Sequence, residues 1–164
     1  MGGVGLNDAS AGLQDRLWLC TCDGATGDVS LEAPGVGRTL IFTAPGTTEV
    51  SFCFDQNMRP VFAYVQNGAA KLRWYDTVLG DNTITTLASD VVWPKVTLDD
   101  KRPLQTVQGT SDVILAYVRG GSLYYRQQRD RFEVERLLAG TVSGRLVRVG
   151  MTVTSRLQFM FEEA

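Results

Sequence analysis

Two stretches of this chain repeat one another, and the repetition limits the possible folds more than any other feature. Val50 to Asp76 reads VSFCFDQNMRPVFAYVQNGAAKLRWYD, and Val113 to Leu138 reads VILAYVRGGSLYYRQQRDRFEVERLL. Phe62-Ala63-Tyr64-Val65 is matched by Leu115-Ala116-Tyr117-Val118. A turn follows each, Asn67-Gly68 in one and Gly120-Gly121 in the other. Next comes a strand ending in aromatics, Leu72-Arg73-Trp74-Tyr75 against Leu123-Tyr124-Tyr125-Arg126. Arg59-Pro60 and Arg102-Pro103 precede the two copies at different distances, so the copies differ in loop length. A repeat of roughly 40–50 residues built from short strands is the pattern of β-propeller blades.

The strand signals follow the chain. Short strands are expected at Leu17–Cys22, Val29–Glu32 and Arg38–Thr43, punctuated by Asp23-Gly24, Pro34-Gly35 and Pro45-Gly46. The first repeat, about 50–95, predicts strands at Val50–Phe54, Val61–Val65, Lys71–Tyr75 and Thr83–Leu87. The second, about 96–140, predicts Val96–Asp99, Val113–Val118, Ser122–Gln127 and Phe132–Leu138. Arg145–Val149 and Arg156–Phe161 close the chain. Asn67-Gly68 is a type I′ hairpin signal, because both central residues need positive φ. The apolar runs Val61–Val65 and Val113–Val118 predict strands covered on both faces. Phe132 and Val134 against Glu133 and Glu135, and Leu157, Phe159 and Phe161 against Arg156 and Gln158, predict strands with one wet face. The fold class is therefore all-β, with short antiparallel sheets in two propeller-like repeats; the alternative is a β-sandwich. Two repeats and terminal strands give at most three or four blades, so the chain closes as a minimal ring or stacks against other copies.

The 164 residues suit one domain, placed at 16–164, with residues 1–15 as an N-terminal arm. That arm has three glycines in its first five positions and three spaced apolar residues, Val4, Leu6 and Leu13. It is expected to lie ordered on a neighbouring subunit rather than alone. It has neither the basic region nor the apolar core of a secretory signal, and Leu6 stands where myristoylation wants Ser or Thr. No apolar run reaches the ~18–20 residues of a membrane helix. A net charge of −2 argues against an extended nucleic-acid footprint.

The chain has no histidine, which removes the usual Ser-His-Asp and Cys-His nucleophile systems. Acid–base chemistry would fall to Asp55, Asp99, Asp100 and Glu133. Asp55-Gln56-Asn57 and Asp99-Asp100 recur at one place in the two repeats, so they read as turn residues that bind backbone amides. They match no calcium loop. The three cysteines, Cys20, Cys22 and Cys53, are one ligand short of a structural zinc set and read as small core residues. The run Arg126-Gln127-Gln128-Arg129-Asp130-Arg131 is compensated by Asp130, Glu133 and Glu135 and reads as a strand edge. Trp74, Tyr75, Tyr124 and Tyr125 would suit sugar stacking but sit where sheets pack. No catalytic, cofactor-binding or metal-binding residue is assigned, and no cofactor is expected.

The stretch from Phe54 to Asp76, Thr97 to Pro103 (TLDDKRP), Asp112 to Leu138, the closing VGMTVTSRLQFMFE from Val149 and the opening LNDASAGLQDRLW from Leu6 resemble virion structural proteins of tailed bacteriophages. The resemblance covers nearly the whole chain. It implies a multi-copy tail component without catalytic activity, found in the virion and assembled in the host cytoplasm. Its implied partners are copies of itself and other phage tail proteins, with no nucleic acid and no membrane. The alternative, motivated by the aromatic pairs Trp74-Tyr75 and Tyr124-Tyr125, which repeat as sugar pockets do, is a glycan-binding, receptor-binding module of the tail tip that contacts a host surface glycan. Larger tail nozzle proteins carry propeller-like domains, and this chain is far shorter than they are.

Overall fold

A computed structural model describes residues 2–7, 16–99, 111–151 and 156–163. Residues 2–7 and 16 are described by their backbone alone. The described residues are all-β and form four antiparallel sheets with no α-helix. Sheet I runs β1 (Gly2–Asn7), β2 (Arg16–Cys22), β3 (Asp28–Ala33) and β4 (Gly37–Thr43), paired in that order. Sheet II does the same with β5 (Thr47–Phe54), β6 (Pro60–Gln66), β7 (Ala69–Asp76) and β8 (Asp81–Thr86). Sheet III follows with β9 (Val91–Asp99), β10 (Asp112–Arg119), β11 (Ser122–Gln127) and β12 (Arg136–Ala139). Sheet IV is the pair β13 (Arg145–Met151) and β14 (Leu157–Glu162).

The sheets pack in series. Cys20, Cys22, Val29 and Leu31 of sheet I meet Phe52, Phe62 and Tyr64 of sheet II. The opposite face of sheet II, with Val61, Ala63, Leu72 and Trp74, meets Val113, Leu115 and Tyr117 of sheet III. The far face of sheet III, with Ala116, Val118 and Leu123, meets Leu146, Val149, Phe159 and Phe161 of sheet IV. This arrangement is why β6 and β10 are apolar at successive positions. Alternate residues point to opposite faces, and here both faces are core. The first strands of successive sheets also touch: β1 lies against β5, β5 against β9, and β9 against β13.

Turn chemistry sets the hairpins. Asn67 and Gly68 have φ of 50° and 79°, the two positive angles that a type I′ turn demands. Gly120 and Gly121, at 56° and 74°, repeat that geometry between β10 and β11. A second turn type recurs with the pattern Asp-x-x-x-Gly-Asp. The Oδ1 of Asp23 accepts from the Ala25 amide at 2.8 Å, and Gly27 donates back to the Asp23 carbonyl at 2.8 Å. The Oδ1 of Asp76 accepts from Val78 at 2.9 Å, and Gly80 donates back to the Asp76 carbonyl at 2.8 Å. Local side-chain acceptors of this kind replace the ladder bonds that a turn gives up.

Several expectations are corrected. Residues 2–7 of the expected arm form β1, paired residue by residue with β2 of the same chain from Gly2 opposite Thr21 to Asn7 opposite Arg16. Residues 8–15 lie outside the described residues, as do Asp100 and Arg102-Pro103. The strand expected at Phe132–Leu138 is confined to Arg136–Ala139. A single 3₁₀ turn at Gln128–Asp130 intervenes, and Arg131 and Phe132 follow at φ of 54° and 58°. Two successive left-handed residues break the alternation and turn Phe132 into the core, where it meets Trp74 edge-on at 5.1 Å. Sheet III begins at Val91, five residues before the strand expected at Val96. Trp93-Pro94 forms a bulge inside β9: the register against β10 shifts there, and Trp93 takes φ 54°.

Candidate functional site: the inner strands and the uncovered end faces

Polar side chains join the sheets along their first strands. Glu49 of β5 forms an ion pair with Lys95 of β9, and the same Oε1 lies 3.5 Å from Arg145 of β13. The Glu49 and Lys95 side chains are nearly inaccessible. Ser51 Oγ accepts from the Val96 amide at 3.1 Å. One carboxylate thus ties sheets II, III and IV together. A buried pair of this kind adds little net stability, but removing one partner strands a charge at about 3–5 kcal/mol. Beside it, Trp93, Gly144, Arg145, Glu162 and Glu163 line an open cleft of about 360 Å³.

The arginines of the densest cationic run are paired within the chain. Arg126 Nε donates to the Tyr117 hydroxyl at 2.8 Å, and its NH1 donates to the Phe132 carbonyl at 3.0 Å. Tyr117 donates in turn to Glu135, which also holds Arg119 at 2.7 Å. Arg129 grips Asp112 at 2.5 Å, Arg131 grips Asp76 at 2.5 Å, and Arg136 reaches Asp130 at 2.6 Å. Burial would raise the Asp76 carboxyl. The Arg131 bond, then the Val78 and Leu79 amides, outweigh burial and hold it below its ordinary range. Burial, then the bond to Glu135, pushes the Tyr117 hydroxyl well up.

The other expected candidates are placed as follows. Asp55 serves its turn: Oδ1 accepts from the Asn57 and Arg59 amides, both at 2.8 Å. Asp99 is buried at the end of β9, and Glu133 sits 3.7 Å from Arg131 on the surface. No metal-holding group of three occurs among the described residues. The aromatics do not form one platform. Trp74 is buried between sheets II and III, whereas Tyr75 lies under the Arg59 guanidinium at 3.9 Å. Tyr124 stacks on Tyr117, and Tyr125 lies under Arg136. Cys20 and Cys22 share the core face of β2, and all three thiols are free. Burial, reinforced by the Cys22 thiol, pushes Cys20 up to about 12, so it stays protonated and unreactive at neutral pH.

The series of sheets ends on two uncovered faces. On β2, Leu17 and Leu19 alternate with Trp18, Cys20 and Cys22 and point away from sheet II; they are 46% and 43% exposed. Leu40 of β4, opposite Ser30, is 56% exposed on the same face. At the other end, Met160 of β14 and Val147 of β13 are 52% and 38% exposed on the side of sheet IV away from sheet III. Sequence reading missed both the Glu49–Lys95–Arg145 link and the end faces. The link joins residues up to 96 positions apart and carries no local signal. The signal available for the sheet I face was the strand Leu17–Cys22, which is apolar at almost every position.

Comparison with protein-family models, curated proteins and solved structures finds no match.

Proposed function

We propose that this chain is a structural subunit of a bacteriophage tail, present in several copies and acting through protein–protein contacts. In this reading the four sheets are blades of a propeller-like arc, with β1, β5, β9 and β13 along its inner side. Neighbouring tail proteins and further copies of the chain cover what the arc leaves open. The role is architectural, without catalysis or cofactor, in a particle assembled in the host cytoplasm.

The observation that carries the reading is the unfinished stack. Inside the chain every sheet-to-sheet contact is closed by large side chains such as Phe62, Leu115 and Phe159. At both ends the stacking stops with Leu17, Leu19 and Met160 in solvent. Apolar patches on sheet faces mark contact surfaces. The resemblance of the repeats to virion proteins supplies the setting. The internal use of the charged and aromatic residues fits a part whose polar groups hold shape.

The test is location and copy number. Antibody against the chain, applied to purified phage particles from the source of the sequence, should label tails. Quantitative mass spectrometry of those particles should give several copies per virion. Absence from purified virions overturns the reading.

A further inference from the structure

We infer that the uncovered face of sheet I is the docking site for sheet IV of a second copy of this chain, packed head to tail. The inference rests on the propeller-like reading above and names the partner and the surfaces.

The argument is continuity. Each sheet turns one face to its predecessor and the other to its successor. On the second strand of each sheet, the face toward the predecessor carries Phe62 and Tyr64 in sheet II, Leu115 and Tyr117 in sheet III, and Phe159 and Phe161 in sheet IV. Leu17 and Leu19 hold the corresponding face of the second strand of sheet I, and they alone among these residues have no sheet in front of them. What fits there is a face of the successor-facing kind. Sheet IV has one such face uncovered, with Met160 and Val147. Sheet IV has two strands and sheet I four, so sheet IV covers part of the sheet I face. On sheet I, Glu32 lies opposite Leu19 and is itself opposite Arg38, and on sheet IV Arg148 lies opposite Met160, so charged side chains flank the apolar residues on both faces. Two copies joined at both ends place eight sheets about one axis, within the four to eight blades over which propellers close. The contact is heterologous, and closure at two copies limits it to a ring rather than a filament.

Sedimentation equilibrium of the full 164-residue chain should give twice the chain mass. Leu19→Glu and Met160→Lys change exposed positions, so each variant should keep the parent's circular dichroism and melting behaviour as a monomer. Each alone should lose the dimer by at least tenfold in dissociation constant. Mixing them one to one should restore it, because the introduced carboxylate on one copy then meets the introduced ammonium on the other while the second junction remains native. A monomeric parent at 100-micromolar-scale concentration overturns the inference. So does a dimer that either variant leaves intact, as a face-to-face dimer of sheet I would survive Met160→Lys, or one that mixing the two variants fails to restore. A monomeric chain found in virions would remove this inference and leave the tail assignment standing. A ring absent from virions would do the reverse.

Discussion

Gly27 and Gly68 both sit at strongly positive φ, 77° and 79°, yet alanine should cost different amounts at the two sites. At Gly68 a Cβ would meet nothing within 4 Å, so Gly68→Ala carries only the left-handed backbone penalty of about 1–2 kcal/mol. At Gly27 a Cβ would stand 2.3 Å from the Ala44 carbonyl oxygen and 2.5 Å from the Pro45 nitrogen. Both contacts are backbone, so no side chain can swing aside. The Ala44-Pro45 segment cannot retreat cheaply either, because the Ala44 amide donates to the Gly27 carbonyl at 2.8 Å. Opening the turn sacrifices that bond, about 0.5–1.5 kcal/mol, in addition to the φ penalty. The gain from a stiffer unfolded chain is about the same in both variants and cancels in the comparison. Gly27→Ala should therefore cost about 1.5–3.5 kcal/mol, roughly 1 kcal/mol more than Gly68→Ala at about 1–2 kcal/mol. Urea unfolding, extrapolated linearly, resolves that difference if the slope is unchanged. Melting temperatures should separate in the same order, by about 2–4 °C per kcal/mol for a domain of this size. Equal losses in the two variants would refute the steric argument at Gly27.

Two further outcomes follow from named contacts. Asp76 is held below its ordinary 3.8, so its contribution is present at neutral pH and is lost as pH falls through the depressed folded value. Asp76→Asn should be less stable than the parent near pH 7, and the gap should narrow below about pH 4; a gap that does not change with pH in thermal melts would contradict this. Deleting residues 2–7 should expose the β2 edge that β1 now pairs, so the β2 amides should exchange hydrogen at least tenfold faster; unchanged protection would return that segment to the status of a detachable arm.

What could be read from the sequence was whatever is encoded locally. The both-face burial of β6 and β10 follows from unbroken apolar runs, and the Asn67-Gly68 hairpin follows from two residues that tolerate positive φ. The alternation of Leu157, Phe159 and Phe161 with Gln158, Met160 and Glu162 is present in β14. The errors came where tertiary contact overrides local pattern. Phe132 alternates correctly with its neighbours for a strand, but the pocket beside Trp74 and the clamp of Arg131 on Asp76 pull the chain into two left-handed residues instead. Gly2–Asn7 is poor in strand formers, and it is the β2 edge that draws it into a ladder. Sheet I escaped notice as a further unit because β2 lacks the Phe-Ala-Tyr-Val signature. The shared turn from Asp23 to Asp28 and from Asp76 to Asp81 was the available clue.

The polar links explain how sheets that pack through similar apolar faces reach one arrangement. Apolar contact is nearly indifferent to a slide of one sheet over the next, since Leu, Val and Phe faces accept many offsets at similar burial. Glu49 removes that freedom for three sheets at once, because Lys95 and Arg145 reach one oxygen only when β5, β9 and β13 are in a single register. The Asp76–Arg131 pair does the same for sheets II and III at another point, and Asp112–Arg129 fixes the 3₁₀ turn against β10. Two separated pins between sheets II and III also fix the angle between them, which one pin cannot. The apolar faces thus drive the stacking, and the charges, whose net contribution to stability is small, select its geometry. That division of labour matters most for a stack that has to present its two ends at a defined separation and tilt, because any slip between inner sheets is carried to the ends.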